Sequence, residues 1–361
     1  MLIFVLRRLG VMALTALVLT FVVFYLTNLP PNLEKLARSE GSVRMTDESV
    51  AAWIEQNGHG GSVFGRYAQW LGVVPGWTYT DEKAVTRGRC IAQGDDPALA
   101  ATYCGVFQGY WGQSTVFKQP VLSELGGKLA ATGWLMLAVM LVMVPVSLVI
   151  GVLAGMREGS RTDRVLSTFS IASTATPEYV SGVILVALLA SPMTGLSPLL
   201  NQWGVIEGKI LFQGTATSAM DDITFWNFTL PVMTIALYGI GYIARMTRAS
   251  MTEVMTQQYI RTARLKGVRF RDVVMKHALR NALIAPFTVI MLQFPWLLNG
   301  VVVAETLFNY KGFGWTLVTA AGNNDIEMLL GCSVVAVFVV LVTQLISDIG
   351  YVFLNPRIRL S

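Results

Sequence analysis

Side chains able to do bond-making chemistry are scarce in this chain of 361 residues. It has two histidines, His59 and His277, and three cysteines, Cys90, Cys104 and Cys332. A phosphate-cradling loop needs the spacing G-x-x-x-x-G-K-[ST]. The nearest string is LSELGGKLA, where Leu122 holds the place of the first glycine and Leu129 that of the hydroxyl residue. Two acids, Glu178 and Asp348, fall within apolar runs, and ionisable groups there carry a functional reading by default. An aspartyl-type reaction would need both at one site, and nothing in the spacing brings them together. The densest reactive surface is YIRTARLKGVRFRDVVMKHALRNAL, from Tyr259, which holds eight charged side chains around Gly267.

That basic segment is flanked by some of the most apolar stretches of a chain that is 53% hydrophobic and only 14% charged. Mean hydropathy is +0.55. Apolar runs near the ~20 residues that cross a bilayer recur at roughly 9–29, 129–155, 166–191, 229–247, 283–304 and 328–354. Buried helices of a soluble protein would carry polar faces, and these runs mostly do not. The first run follows Arg7 and Arg8 but spans the membrane in length and ends at NLPP without a small-residue cleavage site. It reads as a retained helix. The expected class is an all-α integral membrane protein with six transmembrane helices.

Basic residues orient it. With both termini in the cytoplasm, the inner segments hold Arg7, Arg8, Arg157, Arg161, Arg164, Arg245, Arg248, the basic segment, Arg357 and Arg359. These are more than half of the 27 lysines and arginines, against the acids Glu158, Asp163, Glu253 and Asp272. The net charge of +5 thus reports topology rather than nucleic acid, for which no aromatic-interleaved basic groove is present. His59 then lies outside and His277 inside, so no histidine-based triad or metal cluster can form on one side. No catalytic residue and no metal site are expected.

The outer segment 30–126 is long enough for a small external domain. Residues 46–58 open with Thr46, Asp47 and Glu48 in a capping-box-like pattern and read as a helix, as does GRYAQWLGVV at 65–74. The stretch 77–104 is polar and turn-rich. In an oxidising compartment Cys90 and Cys104 would pair; the alternative is two unrelated thiols. Cys332 reads as a small apolar residue of the last run. Outer segment 192–227 lacks strong periodicity, and 305–327 reads as a turn-rich entry, NYKGFGWTLVTAAGNND, into an amphipathic piece.

Within the basic segment a helix is expected up to Gly267, with Arg261 and Arg264 on one face and Tyr259, Ile260 and Ala263 as a neighbouring apolar patch. Gly267 can end that helix and turn the chain. A second helix is expected to begin near Arg269 to Asp272 and run through His277 to RNALIAP, entering the membrane. The pattern fits docking on a cytoplasmic partner or a solvated loop held by lipid head groups. In the fifth run Gln293, Pro295 and Asn299 form a polar, kink-prone patch that either lines a cavity or bonds between helices. The same two readings apply to Glu178.

The string EVMTQQYIRTARLKGVRFRDVVMKHALRNAL resembles the EAA loop of bacterial ABC-importer permeases of the peptide/nickel subfamily. Glu253, Tyr259, Ile260, Arg261, Thr262, Ala263, Arg264, Lys266, Gly267, His277, Ala278, Leu279, Arg280 and Asn281 stand in the matching places. Resemblance also covers FVLRRLGVMALTALVLTFVVFYLTNLPP, GVLAGMREGSRTDRVLSTFSIASTATPEYVSGVIL, GVVVAETLFNYKGFGWTLVTAA and the closing ISDIGYVFLNPRIRL. Departures are an insertion around 77–105, Glu178 where a small or hydroxyl residue is usual, and NYKGFG without the usual proline.

The resemblance implies a type I ABC importer permease fold with an enlarged periplasmic segment after helix 1. It divides the chain into a first transmembrane helix (1–29), a periplasmic segment (30–126) and a permease core (127–356) whose coupling loop is 253–283. It implies a bacterial inner-membrane protein working with a homologous second permease, two ATPase subunits or one fused ATPase, and a periplasmic solute-binding protein. ATP and magnesium would sit on the ATPase, with no cofactor on this chain. Tyr259, Ile260, Ala263 and Gly267 would seat in an ATPase groove, and Arg261, Arg264 and Lys266 would meet its acidic rim. Peptide is the implied solute; close relatives carry nickel, opines or oligosaccharides. The alternative class, a secondary transporter, would show inverted repeats, and none is visible.

Overall fold

The computed structural model describes residues 2–81, 85–91, 96–208 and 210–354, and the side chains of these except residues 2–5, 299 and 351–354. Arg357 and Arg359 of the expected inner tail, and the Asn299 side chain, lie outside the described residues. The chain runs through α1 (Leu2–Thr27), α2 (Pro30–Glu40), α3 (Asp47–Gln56), α4 (Val63–Leu71), the strands β1 (Thr78–Thr80) and β2 (Thr86–Gly88), and α5 (Val121–Gly155). There follow α6 (Arg161–Ala175), α7 (Glu178–Leu189), α8 (Leu196–Gln202), α9 (Phe225–Met255) and α10 (Gln258–Leu265). The last third holds α11 (Phe270–Asp272), a π-helical turn Val273–Ala278, α12 (Leu279–Ala282), α13 (Ile284–Phe308), α14 (Phe313–Gly322) and α15 (Ile326–Leu354).

Among the described residues, four helices, α1, α5, α9 and α15, are each long and apolar enough to cross a bilayer. Two bent pairs bring the number to six if each is one span. The run expected as one helix at 166–191 is instead broken, with α6 and α7 meeting at 110°. Thr176 precedes Pro177, whose ring disfavours helical backbone in the residue before it, and Thr176 is extended at φ −88, ψ 123. A second bend, of 49°, lies at the start of the fifth run, between Phe270–Ala282 and Ile284–Leu298.

The fold divides into two compact units. The first comprises Met1–Lys128 with Thr316–Val339, so segment 30–126 shares a unit with the end of the segment expected at 305–327 and the start of the last apolar run. Its core gathers Phe24, Leu33, Leu36, Tyr67, Trp70, Ile326 and Leu330. α2 opens with Pro30, whose fixed φ suits a first helical position, and buries Leu33, Leu36 and Ala37 at i, i+3 and i+4. α3 is capped by Thr46, whose side chain accepts from Ser49 N at 3.3 Å, so Ser49 rather than Glu48 completes the cap. α4 starts two residues before the expected position, at the Ser62 cap, and stops at Gly72, where φ is +85. Buried Asp325 accepts from Ser114 Oγ, Val116 N and Met328 N. The turn-rich stretch contains the β1–β2 hairpin, and a disulfide joins Cys90 to Cys104 with Cα atoms 5.6 Å apart.

The second unit comprises Leu129–Trp315 with Val340–Ser361. α9 is its hub: 72% of its apolar window is buried, and it packs on α6, α7 and α13. An added Cβ at Gly151 of α5 would meet Ala244 O at 2.6 Å, and one at Gly155 would meet Arg248 O at 2.7 Å. This glycine pair, four apart, lets the α5 and α9 backbones touch where lipid offers no hydrophobic drive. In the last turn of α13, fully buried Glu305 accepts from Thr132 Oγ1 and from Trp315 N at 3.0 Å, while Thr132 Oγ1 accepts from Phe313 N at 2.8 Å. That network holds the NYKGFG turn without a proline.

Two outcomes are expected for the first unit. Replacing Cys90 and Cys104 together by serine opens a loop of sequence separation 14. It should lower stability by about 3 kcal/mol, read as a lowered tryptophan-monitored melting temperature in nanodiscs. His59 has its pKa lowered from 6.5 to about 4 by burial and by Arg66 and Arg89. The unfolded chain therefore binds the extra proton first, and the unit should lose stability as pH falls from about 6.5 towards about 4. His59→Gln should flatten that part of the melting profile.

Candidate functional site

The basic segment forms a compact hook on the end of α9. Ile260 is fully buried and Ala263 is 7% exposed. They pack with Met251 of α9, Val273, Val274, Ala278 and Ala282, and Val152, Met156, Val268 and Phe270 close the cluster. The expectation that Ile260 and Ala263 face a partner is therefore corrected. An i, i+3 apolar pair on a short helix is satisfied by this chain's own π-helical turn and α9.

What α10 shows outward is a different face. Leu265 is 81% exposed, and lies five residues from Ile260, about 140° round the helix. Tyr259, Arg261, Thr262, Arg264, Lys266 and Gly267 are exposed with it. Leu265 was absent from the expected contact residues; plotting positions 260–265 on a helical wheel would have singled it out. Gly267 ends the helix at φ +76, a left-handed conformation that favours glycine, and nothing lies within 4 Å of where its Cβ would be. The open surface leaves room for a partner's backbone to approach.

Internal bonds stiffen the hook. Asn281 Nδ2 donates to the Tyr259 hydroxyl at 2.9 Å, so two residues 22 apart in sequence fix each other. Ser250 Oγ donates to Ala282 O at 2.8 Å, tying α9 to α12. The guanidinium groups of Arg264 and Arg157 lie 5.6 and 5.2 Å from the Phe270 ring centroid, within cation–π range. Arg264 is thus engaged within the chain, while Arg261 and Lys266 extend into solvent. Glu253 is exposed on the last turn of α9 and His277 on the π-helical turn. Insertion of a π-turn shifts the helical face by part of a turn and is common at functional positions.

One ion pair that sequence reasoning missed anchors the base of α9. Arg248 donates from Nε to Asp163 Oδ1 at 2.5 Å and from Nη2 to Oδ2 at 2.8 Å. The same carboxylate accepts from Gly159 N at 2.8 Å and Ser167 Oγ at 3.0 Å. Asp163 is 2% exposed, and four donors satisfy it, the arrangement a buried charge requires. Beside the hook, a cleft of about 330 Å³ lies between Arg157, Thr252, Arg264 and Phe270.

Of the three expected path residues, Glu178 and Gln293 have described side chains. Glu178 is the first residue of α7, at the bend, and a Cβ on Gly300 would lie 2.8 Å from its Oε2. The acid is therefore accommodated by a glycine on α13. Gln293 is 5% exposed, its Nε2 lacks a hydrogen-bond partner, and it sits against Gly239 of α9.

Residues 147–360 match the family described as "Binding-protein-dependent transport system inner membrane component". A probable peptide ABC transporter permease of Sinorhizobium fredii is 34% identical over 255 residues, covering 70% of this chain and 77% of its own. The di/tripeptide transport system permease DppB of Pseudomonas aeruginosa is 36% identical over 263 residues, with the same coverage. The glutathione transport system permease GsiC of Pectobacterium atrosepticum is 31% identical over 254 residues, covering 70% of this chain and 76% of its own. A rigid hook on a central helix, several membrane-length helices and these matches agree: the chain belongs to the family of inner membrane components of binding-protein-dependent transport systems, and is a multi-pass inner membrane protein.

Proposed function

We propose that this chain is one permease subunit of an ATP-driven importer for peptides, which takes its solute from a periplasmic binding protein. The observation that carries this is the α10 hook: a rigid basic and apolar face at the end of the most buried helix, with an open glycine at its tip. The peptide, di/tripeptide and glutathione transporters among its relatives favour peptide as the solute. Both termini and the hook lie in the cytoplasm under this reading, following the positive-inside bias. A second, homologous permease completes the path, and the ATPase partners hold ATP and magnesium.

In this mechanism the ATPase groove grips Leu265, Tyr259 and Gly267, with Arg261 and Lys266 at its rim. Closure of the ATPase pair displaces the hook. Because Ile260 and Ala263 are locked to α9, the displacement passes into a helix of 31 residues, about 46 Å long. Work then crosses the membrane as rigid-body movement between two packed arrangements. Glu253, Thr262, His277 and Asn281 support the hook, with Asn281 acting through Tyr259.

Gly267→Trp, tested in the whole complex, should lower ATP-dependent uptake of a labelled dipeptide by about tenfold or more, the scale of a blocked interface centre. Membrane insertion should stay normal; uptake at the wild-type level would remove the coupling role. Asp163→Asn leaves Arg248 without its counter-charge and should destabilise the base of α9 by about 3 kcal/mol. The expected readout is a lowered melting temperature with reduced uptake, and the pair Asp163→Asn, Arg248→Met should recover part of the stability.

A further inference from the structure

Within the first unit, a cavity of about 170 Å³ collects polar groups that the transport reading does not use. Trp70 is 3% exposed and the Arg89 side chain 10% exposed. Trp70 Nε1, Arg66 Nε, Arg89 Nε and Arg89 Nη2 are buried donors without a hydrogen-bond partner in the protein, and Glu327 Oε2 is a buried acceptor without one. All four residues line the cavity. Leaving such groups unmatched costs about 1–3 kcal/mol each, so their concentration around one space points to an occupant.

The chemistry of that occupant follows from the donors. Arg89 uses Nη1 on Glu327 Oε1 at 3.4 Å, and its guanidinium lies 5.5 Å from the Tyr110 ring centroid. That leaves the Nε and Nη2 edge open, a planar two-donor fork that matches a carboxylate. Arg66 is held by Nη1 on Asn28 Oδ1 at 3.1 Å, which leaves its Nε for the cavity. Two guanidinium groups against one carboxylate give the site one net positive charge, which a monoanion neutralises and a phosphate dianion exceeds. Phe24, Ile326 and Leu330 supply an apolar wall for an organic substituent. The space is far larger than the ~10–15 Å³ needed by one water, yet below the range of drug-sized pockets.

We propose that this cavity is a binding site for a small organic monocarboxylate, held by the open fork of Arg89 with Arg66 and Trp70 as further donors and an apolar wall around its tail. The site stands independently of the solute that the transporter carries. Sodium butyrate is the probe, added to the full chain in nanodiscs of zwitterionic phospholipid and followed by ligand-observed NMR saturation transfer. Saturable binding is expected, not matched by equal concentrations of sodium phosphate or chloride. Arg89→Lys, which keeps the charge but loses the fork, should weaken binding by about tenfold, the scale of one lost bond to a charged group. Glu327→Gln removes the competing carboxylate and should tighten it severalfold, a gain that misfolding cannot imitate. The proposal is overturned by absence of saturable butyrate binding, by phosphate or chloride binding equally well, by Glu327→Gln weakening it, or by anionic-phospholipid nanodiscs abolishing it, which would make a lipid headgroup the occupant.

Discussion

Burial of Ile260 and Ala263 against Met251, Val273, Val274, Ala278 and Ala282 is the constraint on which the hook end of the second unit depends. A helix of eight residues is too short to hold its shape alone, since nucleation consumes most of what its few hydrogen bonds contribute. Packing on α9 and the π-helical turn supplies the missing stability, and Asn281 bonded to Tyr259 sets the angle of the hook. A force on Leu265 or Gly267 therefore acts on α9 rather than bending a loop.

α9 is suited to receive that force because it is held along its length by contacts of different kinds. Gly151 and Gly155 bring the α5 backbone against it, so its separation from α5 is set by backbone atoms rather than by adaptable side chains. Near its C-terminal end the Arg248–Asp163 pair ties it to the start of α6, whose first turn is capped by Ser160 accepting from Asp163 N at 3.1 Å. At its N-terminal end, a reciprocal Thr224–Asn227 capping box satisfies two of its free amides. Breaks occur in its neighbours, at Thr176–Pro177 and at Leu283, where the paired helices turn by 110° and 49°.

Much of this was legible locally. Apolar runs near bilayer length marked the helices because length and hydropathy suffice for that inference. Pro177 was visible, but its run stayed apolar on both sides, and hydropathy alone does not distinguish a straight helix from two joined at 110°. The basic segment drew notice by charge, yet charge misdirected the reading of its apolar residues. Ile260 and Ala263 look like a docking patch until Val273 and Ala278 are known to fold back over them. The Arg248–Asp163 pair spans 85 residues, and Thr316–Val339 joins a unit begun at the N-terminus; neither relation leaves a local pattern.

The most direct measurement is site-directed cross-linking from the hook in native vesicles, comparing Leu265→Cys with Ile260→Cys. A rigid hook seated in a partner by its Leu265 face predicts cross-links from 265 to an ATPase subunit, with a yield that changes when ATP is added, and little or none from 260. Cross-links from 260 equal to those from 265, or none from 265 to any ATPase, would contradict it.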